Sequence, residues 1–291
     1  MKRFFIPLCI FIIVFVVYFA VGTQYTFKPK WAIDYFNPIA KSLLEGHFNI
    51  QNPQQTYDLI NYKGNWYMPW GILPSVFLIP PQIILGRFIP VFYMTIFFAS
   101  ANVALFYILL QRVRKEFFPK FSYISIFLIT ILFAFGTTQF YVGTLGSVWH
   151  VSQMVAAVFA TAGILAIFKK KRVLRNYFLS SVFFSFTLII RPSTVFLLFL
   201  PLLLYFFAYI EKRKRPENIF RDIGIIMLPF FICLSWYFFY NYSRFGNILQ
   251  TGYDYIHESS YLAALRETNG VSSIKNIPKN LWYMLFEAPG F

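Results

Sequence analysis

Long uncharged apolar runs recur along this 291-residue chain, separated by short clusters of lysine and arginine, and that pattern leaves few folds open. The first run, Phe4 to Val21, follows Lys2 and Arg3 and exceeds the roughly 7–15 residues of a signal-peptide core. It reads as an uncleaved first span. With 58% hydrophobic and only 13% charged residues, the chain has too little polar side chain to coat a water-soluble globule. In hydrocarbon every backbone amide needs an internal partner, so spanning elements are helices or a closed barrel, and these runs outlast barrel strands of roughly 10 residues. The sequence predicts an all-α, polytopic helical membrane protein.

A net charge of +15 would point to nucleic acid in a soluble protein. Here the cations collect between apolar runs, where they set topology and argue for no nucleic-acid partner. Cys9 and Cys233 lie inside apolar stretches and no Cys/His cluster has metal-ligand spacing, so neither a disulfide nor zinc is indicated.

Basic clusters at Arg112, Arg114, Lys115 and Lys120, at Lys169–Lys171, Arg172 and Arg175, and at Lys212–Arg215 should face the cytoplasm with the N-terminus. Seven spans then fit, at about 4–21, 90–110, 123–136, 150–168, 177–190, 194–210 and 223–240. Sixteen Lys and Arg fall in the inner segments and ten in the longer outer ones, which supports that orientation. The stretch 71–85 carries Pro74, Pro80 and Pro81 and is short for a bilayer of about 30 Å, so it reads as re-entrant or interfacial within an outer loop 22–89. Residues 241–291 form an outer C-terminal segment. Its final apolar run reads as the approach to a further membrane element, as in a truncated chain.

A loop this long is a functional candidate by length alone. Phe36, Ile39, Ala40, Leu43 and Leu44 recur at helical spacing, with Asn37 as N-cap, Pro38 at the first helical position and Gly46 as terminator. That is a surface amphipathic helix over 37–45. Asp34 precedes it, either as a solvated or capping carboxylate or as one that faces a lipid-borne substrate. Asp58, Tyr62, Lys63 and Trp66 interleave aromatics with one acid and one base, the pattern of an interfacial belt and equally of a sugar platform. Arg191 stands between two apolar runs, where a guanidinium must reach water, snorkel to headgroups or grip an anion such as phosphate. Trp149 and His150 sit at the mouth of the fourth span, where a polar tip beside an aromatic is ordinary at an interface. Arg244 and Tyr253 lie just outside the last span, in a stretch that reads as a structured turn.

Taken in order, Asp34-Tyr35 with Leu43-Leu44 and Gly46, Asp58-Leu59 with Tyr62–Tyr67, Gly146–His150, Arg191-Pro192, Asn241–Gly246 and Thr251–Tyr253 resemble bacterial membrane glycosyltransferases of the GT-C fold class. That group includes the RgtA/B/C/D-like and protein-mannosyltransferase-like enzymes. The resemblance implies a polyprenyl-phosphate-linked sugar as donor, a glycan, lipid or protein acceptor, and a cell-membrane enzyme whose active face is extracytoplasmic. It places Asp34 at the family's catalytic carboxylate. An acceptor hydroxyl attacking an anomeric carbon needs a base, and the departing lipid phosphate needs a cation. Asp34 would be that base. Arg191 and Arg244 would hold the phosphate, and Asp58, Tyr62, Lys63, Trp149, His150 and Tyr253 would line the substrate site. No metal ligands are assigned, although such chemistry admits a divalent cation. The rival readings are a lipid-linked sugar transporter or flippase and a non-catalytic, truncated membrane protein.

Overall fold

The computed structural model describes residues 2–29, 32–211, 219–269 and 274–287. The expected basic cluster Lys212–Arg215 and the last four residues lie outside the described residues, as does Trp31. The chain runs α1 (Lys2–Gly22), α2 (Phe36–Leu44), a hairpin of β1 (Ile60–Tyr62) and β2 (Asn65–Tyr67), α3 (Leu73–Leu85), α4 (Val91–Phe117), α5 (Tyr123–Phe135), α6 (Thr138–Thr144), α7 (Val148–Ile167), α8 (Leu174–Ile190), α9 (Phe199–Glu211), α10 (Ile219–Phe245), α11 (Ser260–Asn269) and α12 (Ile277–Leu285). It is an all-α membrane architecture with one small hairpin.

Among the described residues, five helical segments are long and apolar enough to cross a bilayer: Phe4–Gly22, Val91–Phe117, Val148–Ile167, Pro192–Ile210 and Ile219–Phe245. A sixth exists if α5 and α6 count as one span bent by 50° at Gly136-Thr137. The expectation of seven spans is corrected to five or six. The shortfall is α8, expected at 177–190, whose 17 residues rise only about 26 Å against a hydrocarbon core of about 30 Å. Its place in the fold explains why it need not be long. It is packed on one side by α7 and on the other by α10, so its polar atoms face protein rather than lipid. Ser180, Ser181 and Ser185 are buried on it, small side chains that let the neighbouring backbones approach closely.

The helices form a row in which α1 packs on α4, α4 on α7, α7 on α8 and α8 on α10, with α9 against the side of α8. The first loop with its hairpin gathers with the C-terminal ends of α8 and α10 and the start of α7 at one end of this row, here called the loop face. Val148 N–H donates to Ile33 O at 2.9 Å, and Gly71 N–H donates to Ile190 O at 3.2 Å. Arg244 Nη1 donates to Met68 O at 2.9 Å. The basic clusters at 112–120 and 169–175 meet at the opposite end, where Lys170 N–H donates to Glu116 Oε2 at 3.3 Å and Arg112 donates to Leu165 O. Tyr205 OH donates to Asp222 Oδ2 at 2.6 Å there and joins α9 to α10.

Between the spans the loop region is built as the periodicity demands, with two adjustments. The amphipathic helix expected at 37–45 is α2, one residue earlier, and Gly46 ends it in the left-handed conformation (φ 83°). The segment expected as re-entrant at 71–85 is α3, 13 residues long, packed against α2 and α8 and ended by Gly86 at φ 61°. The first adjustment is that 241–245, read as a turn, continues α10 by more than a helical turn to the left-handed Gly246 (φ 72°). The second is the hairpin. Lys63 and Gly64 both take positive φ (51° and 78°), which suits the two-residue turns whose twist matches a right-twisted strand pair. Ile256 adds an antiparallel bridge to Ile60, and Asp58 and His257 frame it, with Asp58 N–H donating to His257 O and His257 N–H to Leu59 O, both at 2.7 Å.

The largest buried cluster lies under this loop face. It joins Phe36, Ile39 and Ala40 of α2 with Leu59, Met68 and Ile72 from the loop and Val148, Val151 and Ile190 from the spans. The loop is therefore a packed lid continuous with the bundle, not a tether.

Candidate functional site

Asp34 opens the site. Its Oδ1 accepts from the backbone N–H groups of Phe36 (2.8 Å) and Asn37 (3.2 Å), the otherwise unpaired donors of the first turn of α2. Its Oδ2 accepts from Asn37 Nδ2. The cap is thus Asp34, and Asn37, expected in that role, is instead a fully buried hub. Asn37 Nδ2 also donates to Ile89 O at 2.7 Å, while its Oδ1 accepts from Gln82 Nε2 (2.8 Å) and Ile89 N–H (3.3 Å). Asn37 therefore locks α2, α3 and the start of α4 to the carboxylate. Burial pushes the Asp34 pKa upward, and the Asn37 and Phe36 donors only partly counter it.

Asp34 stands on the wall of the larger cavity of the loop face, about 540 Å³. The wall continues through Pro38, Lys41 and Glu45 of α2 and the segment Ile50–Gln55, with Tyr35 and Phe88 as its aromatic residues. Phe88, on this wall, is 40% exposed, and Ile83, Ile84 and Leu85 at the end of α3 are exposed apolar residues a few positions before it.

Tyr35 marks the inner boundary. Its ring stacks on Trp70 at 6.2 Å and 12°, and Trp70 meets Trp149 edge-on at 6.2 Å. Trp149 Nε1–H donates to Asp58 Oδ2 at 3.0 Å, and Tyr35 OH donates to Tyr57 O. Asp58 itself takes a left-handed backbone (φ 61°), an unusual conformation for a non-glycine residue that the His257 bonds hold in place. Burial raises the Asp58 pKa, and the indole donor lowers it. Burial, then the nearby Asp58 charge, pushes the Tyr35 phenol up to about 12.

Behind Trp70 lies a second cavity of about 20 Å³, lined among others by Pro192, Tyr237, Arg244, Thr251 and Tyr253. Arg244 is 5% exposed and already engaged. Nη1 donates to Met68 O (2.9 Å), Nη2 to Asn241 Oδ1 (2.8 Å) and Nε to Tyr240 O (3.3 Å), while the guanidinium lies 3.7 Å from the Tyr240 ring centroid. It is first a brace between α10 and the loop. Arg191 is different: its guanidinium has no hydrogen bond or ion pair among the described residues. Its charge reaches Tyr253, whose pKa burial raises while Arg191 and Arg244 pull it down.

Of the remaining candidates, Tyr62 OH donates to Phe245 O at 3.2 Å and Lys63 Nζ lies 5.3 Å from the Tyr62 ring, so both sit at the hairpin tip rather than in either cavity. His150 Nδ1 pairs with Ser147 Oγ at the start of α7, beside the Tyr141 ring. The fold thus gathers Asp58, Trp149, Arg191, Arg244 and Tyr253 around the stacked aromatics. It leaves Asp34 on the other side of the Tyr35–Trp70 pair, each ring of which lines a different cavity. The residues that sequence reasoning passed over are Trp70, the wall ring Tyr35 and the amides Gln51, Asn52, Gln54 and Gln55. The amide run was visible as the most polar stretch of the loop.

Among the described residues no group of three or more His, Cys, Asp or Glu side chains could hold a metal ion. Asp34 is followed by Tyr35, not by a second acid, so these residues do not fit a divalent cation. The chain matches no protein-family model, no curated protein and no solved structure.

Proposed function

We propose that this chain is a membrane glycosyltransferase that moves a sugar from a polyprenyl-phosphate donor to a glycan, lipid or protein acceptor at its loop face, and that this face is extracytoplasmic. The observation that carries the reading is the Asp34 carboxylate on the wall of a cavity that it shares with the exposed Phe88. A carboxylate offers about four lone-pair positions and three are filled by Phe36 N–H, Asn37 N–H and Asn37 Nδ2, which leaves one for an incoming hydroxyl. Burial raises its proton affinity, as a general base needs. In the proposed step the acceptor O–H gives its proton to Asp34, the acceptor oxygen bonds to the anomeric carbon, and the bond from that carbon to the phosphate oxygen breaks. Polyprenyl phosphate leaves with the electron pair; Arg191, the expected cation for it, has no hydrogen-bond or ion-pair partner among the described residues but stands across the Tyr35–Trp70 pair from Asp34 and not on the same cavity. In this reading the module is GT-C-like and the basic clusters lie on the cytoplasmic side.

The test is transfer from a panel of polyprenyl-phosphate sugars by the purified chain in native-lipid nanodiscs. Activity that disappears in Asp34→Asn, with the variant inserted and folded, supports the reading. Undiminished transfer by that variant refutes the assigned base.

A second reading, transport of a lipid-linked sugar, is favoured by one observation. The bent span α5–α6 carries Gln139, which donates to Ala99 O (3.0 Å) and accepts from Asn102 Nδ2 (3.0 Å), and Thr161 donates to Asn102 Oδ1 (2.6 Å). A broken helix with amide partners inside the bilayer is the construction of transporter sites. Movement of a labelled lipid-linked sugar across vesicles without glycosyl transfer would select it.

A further inference from the structure

The Asp34 cavity has a chemical character separate from that of Asp34 alone. Its charged lining residues are Asp34, Lys41 and Glu45. Lys41 Nζ lies 3.7 Å from Glu45 Oε1, and Glu45 Oε2 lies 3.1 Å from His47 Nε2, so the single lysine of the wall stands among carboxylates. Asp34 is supplied with three donors. With Lys41 set against Asp34 and Glu45, the wall presents no net positive charge to a phosphate. What remains are the amides of Gln51, Asn52, Gln54 and Gln55, all presented to the cavity.

An amide offers both a donor and an acceptor, and a sugar hydroxyl is both as well, so an array of amides suits a polyol better than any ion. The array is mounted firmly. Ser42 Oγ bonds to Asn49 O at 2.8 Å, and Ile50 N–H donates to Trp66 O at 2.7 Å, which pins the chain where the amide run begins. Asn52 then turns through a left-handed backbone (φ 47°) that brings the run over the cavity. Phe88, 40% exposed on the wall, supplies flat apolar surface, and about 540 Å³ lies within the span of small-ligand sites, roughly 300–1,000 Å³.

We infer that this cavity is a recognition site for a neutral oligosaccharide, read by the amides of 51–55 and stacked on Phe88. Calling that ligand the acceptor rests on the proposed function; its neutral polyol character does not. Phosphate chemistry is thereby assigned away from Asp34, to the Arg191 side of the Tyr35–Trp70 pair.

Saturation-transfer NMR on the purified full chain in detergent provides the test, with maltotriose, mannotriose and chitotriose as neutral probes and farnesyl phosphate as the anionic one. The expected result is saturable binding of at least one trisaccharide, weakened about 10-fold by the pair Gln51→Leu and Gln54→Leu, from two lost hydrogen bonds. Arg191→Ala leaves trisaccharide binding unchanged, and farnesyl phosphate does not displace the sugar. Gln55→Trp, which fills the cavity without removing the other amides, blocks binding as well. The inference is overturned if no neutral trisaccharide saturates, if the amide variants and Gln55→Trp all bind as wild type, or if farnesyl phosphate competes. Trisaccharide binding by a chain that never transfers sugar would sink the glycosyltransferase reading and leave this one intact.

Discussion

Gly71 is the point where the loop lid touches the end of α8, and replacing it with alanine gives the sharpest test of the packing. A Cβ built there falls 1.5 Å from Ile189 O, 2.5 Å from Ile189 C and 2.9 Å from Ile190 Cα. All three are backbone atoms, so no side chain can rotate away. Restoring ordinary contact at 3.4 Å requires the two segments to part by about 2 Å, which breaks the Gly71 N–H to Ile190 O bond. Overpacking costs about 1–3 kcal/mol and the lost bond about 0.5–1.5 kcal/mol, so Gly71→Ala should destabilise by about 2–4 kcal/mol. For a chain of this size that is a melting temperature lower by roughly 3–7 °C. Gly224→Ala is the control: nothing lies within 4 Å of its Cβ, it sits inside α10, and alanine is the better helix former by about 1 kcal/mol. Thermal unfolding followed by tryptophan fluorescence in micelles reads both. A Gly71→Ala protein that melts within about 2 °C of wild type would refute the contact, and with it the placement of Trp70 beside Arg191.

Four further outcomes follow from the site. Because the folded-state pKa of Asp34 is raised, its ionisation weakens the fold as pH rises through that value. Asp34→Asn removes the buried charge but sets its amide NH2 against Asn37 Nδ2, so it should melt close to wild type at neutral pH while transfer is lost, and Asp34→Ala should be less stable by about 1 kcal/mol of lost cap. By the same shift, the acid limb of the transfer rate against pH should lie above the ordinary carboxylate range, the rate falling as Asp34 takes up its proton. Arg244→Lys loses the three-way fork and the ring stack together, and denaturant unfolding should show a loss of about 2–3 kcal/mol despite the conserved charge. Trp149→Phe removes the indole donor to Asp58 and should cost about 1 kcal/mol at neutral pH, a difference that shrinks once the carboxyl is protonated in acid.

Much of this fold was legible because a bilayer leaves few options. Apolar runs and basic clusters located α1, α4, α7, α9 and α10, and the Pro-Gly punctuation of 37–46 located α2 within one residue. What could not be read is what tertiary packing decides. The 14 residues assigned to a span at 177–190 carry the same apolarity as a lipid-exposed helix, and only the neighbours α7 and α10 reveal why α8 can be short and serine-bearing. Asn37 and Asp34 exchanged roles because an N-cap and a buried hub use the same residue types, and Gln82 lies 45 positions away. The site was half visible. Asp58, Trp149, Arg191, Arg244 and Tyr253 do converge, but the partition formed by Tyr35 and Trp70 depends on a ring stack that no local pattern encodes.

The pairing of Ile60 with Ile256, and of Asp58 and Leu59 with His257, ties the first loop to a stretch almost 200 residues further on. During synthesis the lid must therefore wait, with its hairpin edge unpaired and Asp58 unsupported in its left-handed turn, until nearly the whole chain has left the ribosome and inserted. The Asp34 cavity, lined by residues between 32 and 88, draws on the first part of the chain, whereas the Asp58 side of the lid is finished only when residues 256 and 257 arrive.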